Sequence, residues 1–543
     1  WHDLFAEHCR RVLRRRDPGL AARLDRAAAR AIADEFPLRA ISHALSASDH
    51  ELAVEIVHMH WVGLVLRSQA ASVEALCTRM PAPWNTDPGI LIVRACCLDV
   101  AGDRVGAAML FAREAAVSQP SDERQLARLA LTRAAAGLML VDDHAALMDA
   151  VDALAAILQT SPDVHSRSYG PLVFLLGWAE LRLRRDPGRA VALLQTARRE
   201  CEATGDHLVA HRAAANLGFA LAFGGRFTAA AALLDQLTDP IAGADSWQSY
   251  DGGVEQMTAG FVAYYRNELV DAEAHLRSLV DGGVGDSPYV ALARIYLTFV
   301  ACDLGDAHRQ LEAERGLARV SDLDLHGVPW GVYKTLARCK LAEARGQTDE
   351  ALRLAGQLAG SAFVPVTTAM VAESLRRAGD TEAASELLVS ALAAPTGIGF
   401  IDASSLLTRA LIEWAAGNVA DAHRLMERSL DLAAEESAAR PFGDSDPVLR
   451  ELLVAHVAWG THHEGFLAAR IAQTEATVSR KLVLGSPLSR REHEVLGFLR
   501  TSMTTAEIAE ALYVSVNTIK THQRAIYRKL GVANRREAVR VRV

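Results

Sequence analysis

The sequence predicts an all-α protein, a long helical-repeat region followed by a small helix-turn-helix end, and three observations carry that expectation. From about residue 20 to 475 the chain is almost continuously rich in alanine and leucine, with apolar residues at helical spacing and no stretch of alternating β-branched residues. A short phrase, a turn residue followed five positions later by an alanine, recurs at Gly102/Ala107, Gly225/Ala230, Asn267/Ala272, Gly346/Ala351, Gly379/Ala384 and Gly417/Ala422. Charge divides unevenly: residues 486–543 carry eleven Lys+Arg against five Asp+Glu, or +6, within a chain of net charge −8, which leaves −14 on residues 1–485.

With 543 residues, half of them hydrophobic, the chain can bury several cores. It has no run of eighteen apolar residues, and residues 1–16 are polar and arginine-rich, without the apolar stretch of a secretion signal. A soluble, cytoplasmic protein without a membrane partner is expected. No two of the seven cysteines (Cys9, Cys77, Cys96, Cys97, Cys201, Cys302, Cys339) have C-x-x-C spacing, so all are read as reduced core thiols. Position 1 is Trp rather than Met, and the chain opens as if inside a helix. A piece of a longer protein is expected, with residues 1–15 as the tail of a preceding domain.

Residues 16–479 form the repeat region. Ala190 to Ala230 is 40 residues, Ala230 to Ala272 is 42 and Ala384 to Ala422 is 38, and periods in this range belong to helical solenoids. Glycine or asparagine takes the left-handed conformation that ends one helix, and alanine lets the next helix approach its neighbour closely. The pattern resembles tetratricopeptide repeats in a loose form, without their full tryptophan, glycine and tyrosine pattern. Breaks rich in Gly, Pro, Asp or Ser fall at 239–253, 281–289, 394–400 and 440–447. Trp247 and Tyr250 in the first break are the candidate effector contacts, on the expectation that stacked pairs present a concave surface near these loops; capping of helix ends is the competing role. A last helical pair over 447–479 leads into a polar, then glycine-containing linker at 480–487.

Residues 488–543 carry the strongest functional signal. Ser489 with Glu492 three residues on opens a helix that places Val495, Leu496 and Leu499 on one face. A second helix begins near Thr505 and holds Ile508, Ala509 and Leu512, and after the connection Tyr513-Val514 a third runs from its cap Ser515 to Leu530 and stops at Gly531. On a helical wheel Asn517, Lys520, Thr521, Arg524 and Arg528 share one arc of about 100°, opposite Ile519, Ile526 and Leu530. No acidic residue occurs between Ser515 and Gly531. One face packs while the other offers long donors to base edges and phosphates, as major-groove reading requires.

Leu488-Ser489-Arg490-Arg491-Glu492, Glu507-Ile508-Ala509, Ser515-Val516-Asn517-Thr518-Ile519-Lys520-Thr521-His522, Lys529-Leu530-Gly531-Val532 and Asn534-Arg535 closely resemble the LuxR-type helix-turn-helix family of bacterial transcription regulators. By position, the resemblance implies base-edge contacts from Lys520, Thr521 and Arg524 and backbone contacts from Thr505, Asn517, Thr518 and Lys529. It also implies double-stranded DNA and RNA polymerase as partners, and self-association on a two-fold operator through the helix that begins at Arg535. Ser502 departs from the family's usual glycine between the first two helices. The order of a long helical-repeat region and this module is similar to the large, ATP-binding (MalT-like) branch of the family, in which an ATPase and a winged helix come first; residues 1–7 resemble the end of that winged helix. None of the five lysines follows a glycine, so the G-x-x-x-x-G-K-[ST] loop is missing from this sequence and no cofactor is expected in it.

Enzyme motifs are absent as well: no G-x-S-x-G, H-E-x-x-H or G-x-G-x-x-G is found. His462-His463-Glu464 reads as a polar helix start, because adjacent helical histidines point about 100° apart and do not share one ion readily. His58 and His60 read as half-buried helix residues. Two function classes remain. One is a transcription regulator, an activator in the favoured form, whose repeats sense a small-molecule inducer or regulatory protein and control the DNA-binding end. The other is an interaction scaffold with a tail that binds nucleic acid without sequence preference.

Overall fold

The computed structural model describes residues 3–117, 122–160, 166–237, 247–282, 287–358, 361, 364–444, 446–472, 488–501, 503–530, 532 and 534–540. The expected linker at 480–487 lies outside these residues. The chain divides into two compact units, Trp1–Arg440 and Pro441–Val543. No β-strand occurs among the described residues; the sole pairing of that kind is an isolated bridge between Leu325 and Val328.

In the first unit, after helices Asp3–Arg16, Pro18–Ile32 and Pro37–Ser46, the chain is a succession of helix hairpins. Their first helices are His50–Leu66, Pro88–Val100, Glu123–Leu140, Ser166–Leu183, His207–Phe223, Val254–Tyr265, Pro288–Leu304, Trp330–Ala344, Pro365–Arg377 and Gly399–Ala415. Each packs against its own partner helix, and each but the last against the first helix of the next hairpin. That is the stacking of a tetratricopeptide-like superhelix. The period varies from 34 residues (Pro365 to Gly399) to 47 (His207 to Val254); of the break expected at 239–253 in the latter, residues 239–246 lie outside the described residues and the rest holds one short helix, Gln248–Asp251.

The repeat phrase has the expected physical basis. Gly102, Gly225, Asn267, Gly346, Gly379 and Gly417 all have φ between 64° and 91°. Asn267 takes this left-handed value without being glycine, a conformation asparagine tolerates better than most residues. The paired alanines Ala107, Ala230, Ala272, Ala351, Ala384 and Ala422 are all buried, so a larger side chain there would separate the two helices of a hairpin. Six cysteines are buried core thiols as expected, and burial pushes the Cys77 thiol up to about 12. Cys9 is the correction: it is exposed on the arginine-rich helix Asp3–Arg16, which has too few apolar residues to cover it.

Contacts also leap between hairpins distant in sequence. Arg67 pairs with Asp206 at 2.7 Å, His144 Nδ1 lies 2.9 Å from the carbonyl oxygen of Gly327, and the Phe227 and Phe400 rings stack at 5.7 Å. Two groups of buried aromatic rings pack in the same unit, Trp178 with Trp247 and Tyr250 and Phe219 with Tyr289 and Phe261, with ring centroids 4.5 to 5.6 Å apart.

In the second unit, helix Pro447–Trp459 precedes a helix over 464–472, with Phe442 and Phe466 in edge contact at 5.6 Å. The C-terminal module follows, built from helices Arg490–Leu499, Thr505–Ala511, Val516–Leu530 and Arg535–Arg540.

Candidate DNA-binding surface

Short-range hydrogen bonds set the ends of the first three module helices. Ser489 and Glu492 form a reciprocal capping box, the Ser489 N–H donating to Glu492 Oε2 at 2.6 Å and the Glu492 N–H to Ser489 Oγ at 3.2 Å. Thr504 and Glu507 do the same for the second helix. Tyr513, at φ 53°, makes the tight turn before the third helix and is 96% exposed. Ser515 Oγ then accepts from the Thr518 N–H at 3.1 Å.

A single small core holds these helices. Val495, Leu499, Ile508, Ile519, Ile526 and Ala538 are buried together, and Leu530 packs on the cluster half-buried. The apolar face of the third helix is therefore the expected one. Its opposite face presents Asn517, Lys520, Thr521 and Arg524 as exposed residues. The Thr521 hydroxyl donates to the Asn517 carbonyl at 2.9 Å, and Thr518 is half-buried beside its Ser515 cap. Thr505 is half-buried at the first position of the second helix. Arg528 belongs to the third helix, and its side chain lies outside the described residues. Among the described residues neither Lys520 nor Arg524 enters an ion pair. Both cations face solvent from adjacent turns of one helix, with no carboxylate on that helix to neutralise them. Such a surface suits phosphate and guanine O6/N7 acceptors.

Lys529, expected at a DNA phosphate, has its ammonium 2.7 Å from Glu492 Oε2, with 20% of the side chain exposed. Burial opposes ionisation of Glu492, yet the Lys529 and Ser489 donors outweigh it and hold the carboxyl below its ordinary range. Lys529 thus joins the end of the third helix to the cap of the first. The wheel contained the signal, since Lys529 stands about 120° from Asn517, outside the polar arc.

Arg535 also does more than its position suggested. Its guanidinium donates to the carbonyls of Leu499 at 2.9 Å, Thr501 at 2.7 Å and Met503 at 2.6 Å, tying the last helix to the turn between the first two. Ser502, in that turn, lies outside the described residues. Arg491, not singled out in sequence, donates to the Leu512 carbonyl at 2.9 Å and closes the end of the second helix.

The expected effector contacts are placed differently from the expectation. Trp247 is fully buried and Tyr250 nearly so, their rings stacked at 4.5 Å and packed on Trp178. The short helix Gln248–Asp251 turns them inward, with Asp251 paired to the buried Arg212 at 3.1 Å and the Tyr250 hydroxyl donating to Asp99. They are core residues rather than the rim of an open concave face. His462 and His463 form the turn before the helix over 464–472, in line with a polar helix start; His58 is half-buried and His60 buried. No helix among the described residues is long and apolar enough to cross a membrane.

Residues 486–542 match the family model described as bacterial regulatory proteins, luxR family. The HTH-type transcriptional regulator MalT of Klebsiella pneumoniae subsp. pneumoniae is 39% identical over 93 residues, 17% of this chain and 10% of that regulator, so the match spans about a tenth of the relative's length. Among solved structures, the crystal structure of APC/C hetero-tetramer Cut9-Hcn1 aligns over 92% of this chain and 95% of that one, with a TM-score of 0.40 and 13% sequence identity.

Proposed function

Because the chain ends in a LuxR-family helix-turn-helix domain, we propose that it is a sequence-specific transcription regulator, acting as an activator, in which the helical repeats sense an effector and control the DNA-binding end. The observation that supports sequence reading most directly is the exposed face of Val516–Leu530, where Asn517, Lys520, Thr521 and Arg524 stand clear of the core formed by Ile519 and Ile526. In this proposal Lys520, Thr521 and Arg524 contact base edges, while Asn517, Thr518, Thr505 and Arg528 hold the phosphates that fix register. Lys529 is a positioning residue. Two modules pair through their last helices on a two-fold operator, and the bound regulator contacts RNA polymerase.

Selection from a randomised duplex library tests sequence reading. Enrichment of a two-fold site is expected, and Lys520→Ala and Arg524→Ala should each weaken binding to that site by about 1–3 kcal/mol, or roughly 5- to 160-fold, while flattening preference at one base pair. No enrichment, with equal retention of all duplexes, would establish the non-specific scaffold instead.

A further inference from the structure

Two arginines inside the repeat unit form no ion pair among the described residues. Arg182 is 8% and Arg184 7% exposed, and among the described residues neither lies within ion-pair distance of a carboxylate. The same unit does neutralise other guanidinium groups, as Arg212 with Asp251 and Arg185 with the buried Glu180 show. Arg182 lies 3.6 Å over the Trp178 ring and donates to the carbonyls of His326 and Leu138. Arg184, itself at φ 54°, donates to the Tyr333 hydroxyl at 2.7 Å. The Nε of each is buried and has no acceptor among the described residues. The nearby carboxylates are already engaged, Asp99 by Tyr250 and His326 and Asp142 by Arg104.

Both arginines line one cavity of about 20 Å³, together with Trp178, Tyr250, Tyr289 and Trp330. That is room for one or two waters, or for the oxygens of a small anion. Burial pushes the Arg182 guanidinium down to about 9, so the cation is held there at a cost to folding. Neutral side chains could donate to the same carbonyls and hydroxyl without that cost. Two uncompensated guanidinium groups converging on an aromatic-walled void make sense if an anion completes the site.

We propose that this cavity binds the carboxylate group of a small monocarboxylate of one or two carbons, held between Arg182 and Arg184 with its carbon end against Trp178 and Trp330. The site deepens the proposed effector sensing and rests on it only for the consequence at DNA. Tyr250 belongs to it as a wall residue, whereas Trp247 does not line it.

Sodium formate and sodium acetate are the probes, titrated into the full chain by calorimetry and by tryptophan fluorescence, with NaCl at equal ionic strength as the reference. Saturable binding, with a rise in melting temperature beyond that in NaCl, is expected for at least one of them. Arg184→Met should weaken that binding tenfold or more and, without probe, melt no lower than the wild type, because it removes a buried uncompensated charge. Arg182→Lys keeps a charge and carbonyl donors but loses the planar fork, so it should also bind tenfold more weakly while remaining folded. Responses to both probes equal to NaCl in the wild type, or unchanged affinity in both variants, would overturn the proposal. Duplex retention by the same preparation separates the two levels: carboxylate binding that leaves DNA affinity unchanged supports the site and removes its sensor role, whereas intact DNA binding with no carboxylate response removes the site and leaves DNA reading standing.

Discussion

Replacing Lys529 by methionine removes the ammonium that sits 2.7 Å from Glu492 Oε2 while keeping most of the apolar stem. At that separation and an effective dielectric of about 20 the gross attraction is roughly 6 kcal/mol. Much of it only offsets desolvation, since the side chains of Lys529 and Glu492 are 20% and 8% exposed. Losing one partner of a buried pair typically costs about 3–5 kcal/mol; here residual solvent access and the retained Ser489 N–H bring the expectation to about 2 kcal/mol. Amide hydrogen exchange followed by mass spectrometry on the full chain reads this locally. Peptides covering 490–499 and 516–530 should exchange about thirtyfold faster, while those from the repeat unit stay unchanged. Under conditions where the variant remains folded, the slope of log affinity for DNA against log salt should match the wild type. Unchanged exchange together with a slope shallower by about one unit would place the ammonium on a phosphate and refute the internal pair.

The same contact sets a pH dependence. Glu492 is held below its unfolded value, so its contribution to stability is fully present above the ordinary glutamate range, near pH 4.3, and is lost as pH falls through the lower folded value. A wild-type module should therefore open more steeply in acid than Glu492→Gln, and parallel acid profiles by hydrogen exchange would contradict this. Trp247→Ala should lower the stability of the repeat unit by about 3–5 kcal/mol through the cavity it leaves, seen as a lower melting temperature, because the indole is fully buried against Trp178 and Tyr250. A melting temperature equal to wild type would return Trp247 to the surface.

How much of this was legible in sequence depended on how local its cause is. The turn residues Gly102, Gly225 and Asn267 and their alanines five positions on were readable because left-handed backbone and close helix approach are demands on single residues at fixed spacing. The third module helix was readable for the same reason: the wheel that put Ile519 and Ile526 opposite Lys520 and Arg524 needs no knowledge of what covers them. Even the second capping box, Thr504 with Glu507, stands in the sequence as a spacing of three.

The aromatic residues of the 239–253 break behaved differently. Glycine, aspartate and serine around Trp247 and Tyr250 signal a loop, and loops ordinarily lie on the surface. Their burial comes from Asp99, Trp178 and His326, which lie 70 to 150 residues away and reach them only through packing between hairpins distant in sequence. Arg182 and Arg184 are of the same kind, two arginines at a helix end whose lack of a counter-charge depends on which hairpins face them. Local spacing thus determined the helices, their caps and the cationic face. Tertiary packing decided which polar groups the repeats enclose, because burial and ion pairing are properties of neighbours brought together across the chain and leave no period in the sequence.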